Sequence, residues 1–208
     1  MAVQLHVSHS ATVKGAAIFA AGPYYCAGGH SWTAYYNCMT PGALTPLPAL
    51  SKLHAVTEAL AKEGRIDPTR HLADARVWLF SGTHDETVSP DVVNALAGYY
   101  ARYVDPKQLT FMRDRPAGHA VVSADPDVKA ACGVTKRPFI NRWADVYRLI
   151  VLYPQTISRN GWGRDLTFAM NPKGCWDWWG YTGADYHTKA GPQIRAVKAM
   201  VDRIGEAR

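Results

Sequence analysis

"ARVWLFSGTHDETVSPDVVNALAGYYARYVDPKQLTFMRDRPAGHA", Ala75 to Ala120, is the stretch on which the fold turns. It opens on an apolar run, Val77 to Phe80, with the length and character of a strand, and then enters a polar turn. "SPDVVNALAGYYARYV" follows as a helix, with Ser89 as its cap and Pro90 at the first helical position. "KQLTFMRD" supplies another short strand and "RPAGHA" a loop. Strands alternating with helices in this way specify an α/β fold built on a mainly parallel sheet with flanking helices.

The flanking segments extend the same alternation. Before it, "MAVQLHVSHS" reads as a helix that begins without a capping side chain. "VKGAAIFAAGP", Val13 to Pro23, reads as a buried strand entering a loop. The segment from Tyr24 to Pro48 is rich in Gly, Pro and aromatics, and loops of that length are functional or clamped. Ala49 to Gly64 has helical spacing and ends in Gly. After the central stretch, "NRWADVYRLIVLYPQ" reads as a helix leading into a buried strand, Leu149 to Tyr153. "GPQIRAVKAMVDRIGEAR" forms an amphipathic helix with Ile194, Val197, Val201 and Ile204 on one face. No internal repeat or low-complexity tract interrupts the pattern.

Composition narrows the function classes. The 208 residues are 48% hydrophobic and 19% charged, the balance of a folded globular chain rather than a disordered one. A net charge of +6 is dispersed, with no basic run longer than two residues, so there is no nucleic-acid footprint. No apolar stretch reaches the roughly 18 to 20 residues that span a bilayer, and the first residues carry no signal-peptide pattern. The four cysteines form no CxxC pair and lack zinc spacing. Cys26 and Cys38 flank the aromatic loop, where a local disulfide and two buried thiols fit the spacing equally well.

In α/β sheets, chemistry gathers on loops beyond the carboxyl ends of the strands. Asp85 lies five residues past Phe80, and His119 follows the next strand, 34 residues on. An acid after one strand and a histidine after the next match the acid–base half of a hydrolase triad. The carboxylate fixes the imidazole tautomer so that the ring can deprotonate a hydroxyl. An aspartate in this place also serves as a helix cap, and a loop histidine also occurs simply solvated. His84 shares the acid's turn and ranks below His119 as the base. The nucleophile of such a triad sits in a G-x-S-x-G elbow, and no such motif exists in this sequence; the nearest approach is "GHSWT" around Ser31.

A second informative segment is "NPKGCWDWWGYTGADYHTKAGPQ". Trp176, Trp178 and Trp179, with Tyr181 following, offer large apolar area with polar tips, suited to gripping an apolar substrate or polymer. Alternate tryptophans also pack in cores, and at least one is expected to do so here. His6 and His9 lie three apart on the first helix, where a pair of metal ligands would fit. With no third ligand in the pattern, a solvated helix face is the expectation, and neither metal nor cofactor is called for.

Together, "MAVQLHVSHSATVKGAAIFAAGPYYCAGG", "VWLFSGTHDETVSPDVV", "RPAGHAVV", "NRWADVYRLIVLYPQT" and "NPKGCWDWWGYTGADYHTKAGPQIRAVKAMVDRI" resemble secreted poly(3-hydroxybutyrate) depolymerases, in particular the group with a circularly permuted α/β-hydrolase domain. The resemblance implies a serine esterase acting on short-chain polyhydroxyalkanoates, with Asp85 as triad acid and His119 as base. It also implies a crevice lined by Trp176, Trp178, Trp179 and Tyr181, with Trp178 or Trp179 as preferred contacts. The implied setting is extracellular and the implied partner a polyester or short-chain ester, with no nucleic acid or membrane; oligomeric state is left open.

The same resemblance implies a single, incomplete catalytic domain over 1–208. Its first helix matches the helix that follows the family's elbow, so the serine and one oxyanion donor would precede the position of Met1. "RPFINRWAD", Arg137 to Asp145, fuses two segments that are distant in the family, an apparent junction near 137–145 that removes the other oxyanion donor. The partners of Cys132 and Cys175 would be lost with it, leaving those two unpaired or joined to each other, while Cys26–Cys38 could survive as a loop disulfide. Such a chain is expected to have little esterase activity alone. Its rival reading is a non-catalytic polymer- or glycan-binding remnant with a Trp-rich surface; a fragment of a complete enzyme is a third.

Overall fold

The computed structural model describes residues 1–119, 154–162 and 168–206. They divide between two compact units, Met1–His119 with Asp177–Arg195, and the described parts of Ala120–Trp176 with Ala196–Arg208. The predicted helix from Asn141, the strand Leu149 to Tyr153, Cys132 and the junction near 137–145 lie outside the described residues.

In the first unit, α1 (Ala2–Ser8) leads to β1 (Gly15–Phe19), and α2 (Ser31–Cys38) and α3 (Leu50–Lys62) precede β2 (Arg76–Gly82). Helix α4 (Pro90–Ala101) then carries the chain to β3 (Leu109–Arg115). The three strands form a parallel sheet in the order β1-β2-β3, in register from Gly15 opposite Arg76 and from Val77 opposite Leu109. Parallel neighbours require crossover helices, and α4 supplies the one between β2 and β3. Its start is as the sequence specifies: Ser89 Oγ accepts from the Asp91 amide and Pro90 opens the first turn.

β2 is covered on both faces, as expected of a strand between two parallel neighbours. Val77 and Leu79 join a core with Val3, Val7, Leu96, Tyr99 and Tyr100. On the opposite face Trp78 and Phe80 meet Phe19, with ring centroids 5.2 and 5.8 Å apart. Each fully buried aliphatic chain contributes about 1.5–3 kcal/mol.

β1 corrects the expectation of a buried strand. Only Ile18 is buried, since β1 is an edge strand of the described sheet, paired with β2 on one side alone. The long aromatic segment also differs from a simple loop, since it folds residues 31–38 into α2. The Cys26–Cys38 disulfide fastens that helix to the turn before it, so the segment is clamped, as its length predicted.

The second unit contains an antiparallel hairpin, β4 (Arg159–Trp162) with β5 (Phe168–Asn171), that the sequence reading did not identify. Asn171 closes the turn after it: its Nδ2 donates to the Cys175 carbonyl at 2.8 Å, and its Oδ1 accepts from the Cys175 amide at 2.9 Å. Helix α5 spans Pro192–Glu206. Of its predicted apolar face, Ile194 and Val197 are buried while Val201 is exposed. The face is therefore only partly used.

Candidate active site

The polar turn after β2 and the loop after β3 meet. Asp85 Oδ2 lies 3.0 Å from His119 Nδ1, with the Asp85 side chain 1% exposed and the His119 side chain 33% exposed. The other carboxylate oxygen, Oδ1, accepts from the amides of Thr87 at 2.9 Å and Val88 at 2.8 Å. The helix-cap alternative is thus half right. Oδ1 organises the turn leading to α4, but Ser89 is the cap, and Oδ2 is left to hold the histidine.

This arrangement settles the direction of the bond by chemistry. An ionised carboxylate accepts and does not donate, so the bond to Asp85 Oδ2 is donated by Nδ1–H. His119 is therefore oriented rather than merely solvated. His84, by contrast, is exposed, and its backbone amide donates to the Ala117 carbonyl at 3.1 Å. At the same carboxyl edge of the sheet, Ala20 follows β1 with φ +46°, a left-handed conformation that costs a residue with a β-carbon free energy. Ser31 opens α2 from an exposed position rather than from a strand-to-helix turn.

The aromatic segment is organised by a residue that the sequence reading passed over. Asp177 is buried, and its Oδ1 accepts from the amides of Trp179, Gly180 and Tyr181 at 3.1, 2.6 and 3.2 Å. Oδ2 takes the Thr182 amide at 2.7 Å and hydroxyl at 2.6 Å. Gln193 completes the clamp: its Oε1 accepts from the Asp177 amide, and its Nε2 donates to the Tyr181 hydroxyl, both at 2.7 Å. The signal available in the sequence was an aspartate followed by a Gly–Tyr–Thr turn, the pattern in which a short carboxylate gathers following amides.

Within this loop Trp178 and Trp179 meet edge to face at 5.5 Å, and Trp179 lies 4.9 Å from Tyr181. All three are half-buried, as is Trp176, which belongs to the second unit. The expectation that at least one tryptophan sits in the core is corrected: none of the three is fully buried, and the Asp177 clamp fixes the backbone that carries Trp179 and Tyr181. Gly180, at φ +97°, lets the loop seat against Gly29, whose Cα would lie 3.0 Å from any β-carbon added there. A further exposed cluster sits on α2, where Trp32 is 65% exposed and packs at a tilt against Tyr36, ring centroids 4.1 Å apart.

His6 overturns the solvated-face expectation. It is fully buried, its Nδ1 lies 3.0 Å from the Tyr100 hydroxyl, and burial pushes its pKa down to about 4. The hydrophobic neighbours of α1 turn that face inward. His187, buried beside Tyr24 and Tyr25, is likewise pushed down to about 4 by burial. No group of three or more metal-ligating side chains occurs among the described residues.

A parallel sheet with crossover helices and an acid–histidine pair at its carboxyl edge is the α/β-hydrolase class of fold. Two solved structures share it over 89% of this chain and 85% of theirs at 16% identity. One is a PHB depolymerase complexed with an R3HB trimer, at a TM-score of 0.61, and the other a PHB depolymerase from Penicillium funiculosum, at 0.62. The chain is homologous to curated proteins named poly(3-hydroxybutyrate) depolymerase: that of Delftia acidovorans is 31% identical across 98% of this chain. A polyhydroxybutyrate depolymerase of Talaromyces funiculosus is 37% identical over 68 residues, 31% of this chain and 20% of its own length. No family model matches the sequence. The chain spans 57% of the Delftia relative, and the match runs over 297 residues against the 208 of this chain. The relative therefore carries additional residues inside the matched span.

Proposed function

We propose that this chain carries the acid–base half and the aromatic substrate surface of a serine-type polyester depolymerase acting on poly(3-hydroxybutyrate) or related short-chain esters. The observation that carries this reading is the Asp85–His119 hydrogen bond at 3.0 Å, made by a buried carboxylate to a partly exposed ring. In that chemistry His119 Nε2 takes the proton of an attacking hydroxyl, the hydroxyl oxygen bonds to the ester carbonyl, and the alcohol leaves with the proton returned by His119. Water activated by the same nitrogen then releases the acyl group. Asp85 holds the ring and stabilises the imidazolium without taking its proton. Trp178, Trp179 and Tyr181 grip the apolar backbone of the polyester.

The sequence contains no G-x-S-x-G elbow, and removal of a triad serine costs on the order of a million-fold in turnover in related chemistry. This polypeptide alone is therefore expected to hydrolyse esters poorly. The additional residues within the matched span of the Delftia relative support the reading of an internally shortened, single catalytic domain. The disulfide supports an extracellular setting, where such bonds persist. Reaction with a fluorophosphonate probe tests the assignment: no chain-borne adduct is expected, and a serine adduct formed at a rate typical of active esterases would overturn the claim of a missing nucleophile.

The half-buried aromatic cluster of Trp178, Trp179 and Tyr181 favours one alternative, binding without catalysis. Pull-down on poly(3-hydroxybutyrate) granules, with Trp178→Ala and Trp179→Ala as comparisons, separates the two activities.

A further inference from the structure

We propose that Gly82 is the positioning residue of the Asp85–His119 pair, acting through the space its missing β-carbon leaves for the histidine-bearing loop. This rests on the reading of Asp85 and His119 as acid and base. Phe80 pairs with Met112, yet Gly82 pairs with Arg115, so β3 carries one extra residue at this point. That bulge swings the chain after β3 across the end of β2. The crossing is fixed by two backbone bonds, from the Thr83 amide to the Arg115 carbonyl at 2.9 Å and from the His84 amide to the Ala117 carbonyl at 3.1 Å. Two residues later the chain presents His119 to Asp85.

A β-carbon on Gly82 has no room. It would stand 2.7 Å from the Ala117 carbonyl carbon and 3.2 Å from its Cα, and closer still to the carbonyl oxygen. These atoms are backbone, so no side-chain rotation relieves the overlap. Restoring contact distance displaces Ala117 by about an ångström. A hydrogen bond of 3.0 Å does not survive such a shift. The φ of Gly82 is not positive, so its role is spatial and not conformational. Gly118, adjacent to the base, behaves differently: its β-carbon would meet the His84 carbonyl oxygen at 3.6 Å, an ordinary contact.

The test reads the hydrogen bond itself in the full chain. Proton NMR should show a low-field Nδ1–H resonance from His119, abolished in Asp85→Asn. Gly82→Ala is expected to abolish that resonance while far-UV circular dichroism and cooperative melting persist, and Gly118→Ala to retain it. A Gly82→Ala protein that keeps the resonance overturns the proposal. Should Gly82→Ala fail to fold, amide hydrogen exchange in the unaltered chain decides. Slow exchange at Thr83 and His84 supports the crossing, and exchange at the rate of an open loop overturns it. The catalytic reading fails separately, if His119→Ala leaves any measured ester turnover of the chain unchanged. The resonance and its response to Gly82→Ala are untouched by that outcome.

Discussion

His119 Nδ1 sits 3.0 Å from Asp85 Oδ2 although the two residues are 34 apart in the chain. The parallel pairing of β2 and β3 brings both loops to one edge of the sheet, and α4 between them sets the interval. The pair is thus a product of the sheet's topology as much as of the residues.

Asp85 also holds its own turn. Replacing it with Ala leaves the Thr87 and Val88 amides without an acceptor, at a cost of about 1–3 kcal/mol. Urea denaturation should show the lower midpoint with an unchanged slope. Asp85→Asn, which retains an acceptor oxygen, should lose less stability while still losing the histidine's low-field proton.

Stability should fall in mild acid through His6 and His187. Both are buried, and their folded pKa values of about 4 lie below the ordinary 6.5. Between pH 6.5 and 4 the unfolded chain binds protons that the folded chain refuses, so stability is complete above 6.5 and declines as pH falls toward 4. The two together are expected to cost several kcal/mol across that window, on the order of 2–3 each. Denaturant midpoints measured from pH 7.5 to 4.5 check this, and His187→Gln should flatten the profile. An equally steep profile in that variant would remove His187 from the account.

The Trp loop depends on one carboxylate. Asp177→Ala removes the acceptor of four amides and a hydroxyl, and is expected to cost about 2–4 kcal/mol, since bonds to a charged acceptor contribute about 1.5–3 each and water recovers part. Near-ultraviolet circular dichroism should lose the tryptophan bands that come from Trp178 packed on Trp179. Granule binding should fall with them, as the rings lose their fixed arrangement.

Opening the Cys26–Cys38 bond frees α2. The bridged cysteines are 12 residues apart, and closing a loop of that size contributes about 2–3 kcal/mol. The Cys26→Ser/Cys38→Ser protein should melt lower by several degrees, in line with about 2–4 °C per kcal/mol at this chain length. A melting temperature indifferent to reductant would contradict the bond's role.

Local chemistry carried much of the reading. Ser89 and Pro90 mark the start of α4, the run Val77 to Phe80 marks β2, and the Gly after Glu63 marks the end of α3. Asp85 and His119 were legible because a polar turn following an apolar strand is a place where chemistry gathers. The β4–β5 hairpin was not, because Arg159–Trp162 alternates too weakly to announce a strand before its partner is known. His6 was misread for a related reason. Which face of a short helix turns inward is decided by what packs against it, and Tyr100 lies 94 residues away.

By itself, then, the amino-acid order determined the parallel α/β class, the places of Asp85 and His119 after successive strands, the aromatic segment and the absence of a G-x-S-x-G motif, since each rests on spacing along the chain. The tertiary structure alone decided that Asp85 divides its two oxygens between a turn and His119, and that Asp177 and Gln193 clamp the loop that carries Trp178 and Trp179. It also decided that Gly82 must lack a side chain. Those facts are distances between segments remote in sequence, and such distances exist only once the backbone has closed around its core.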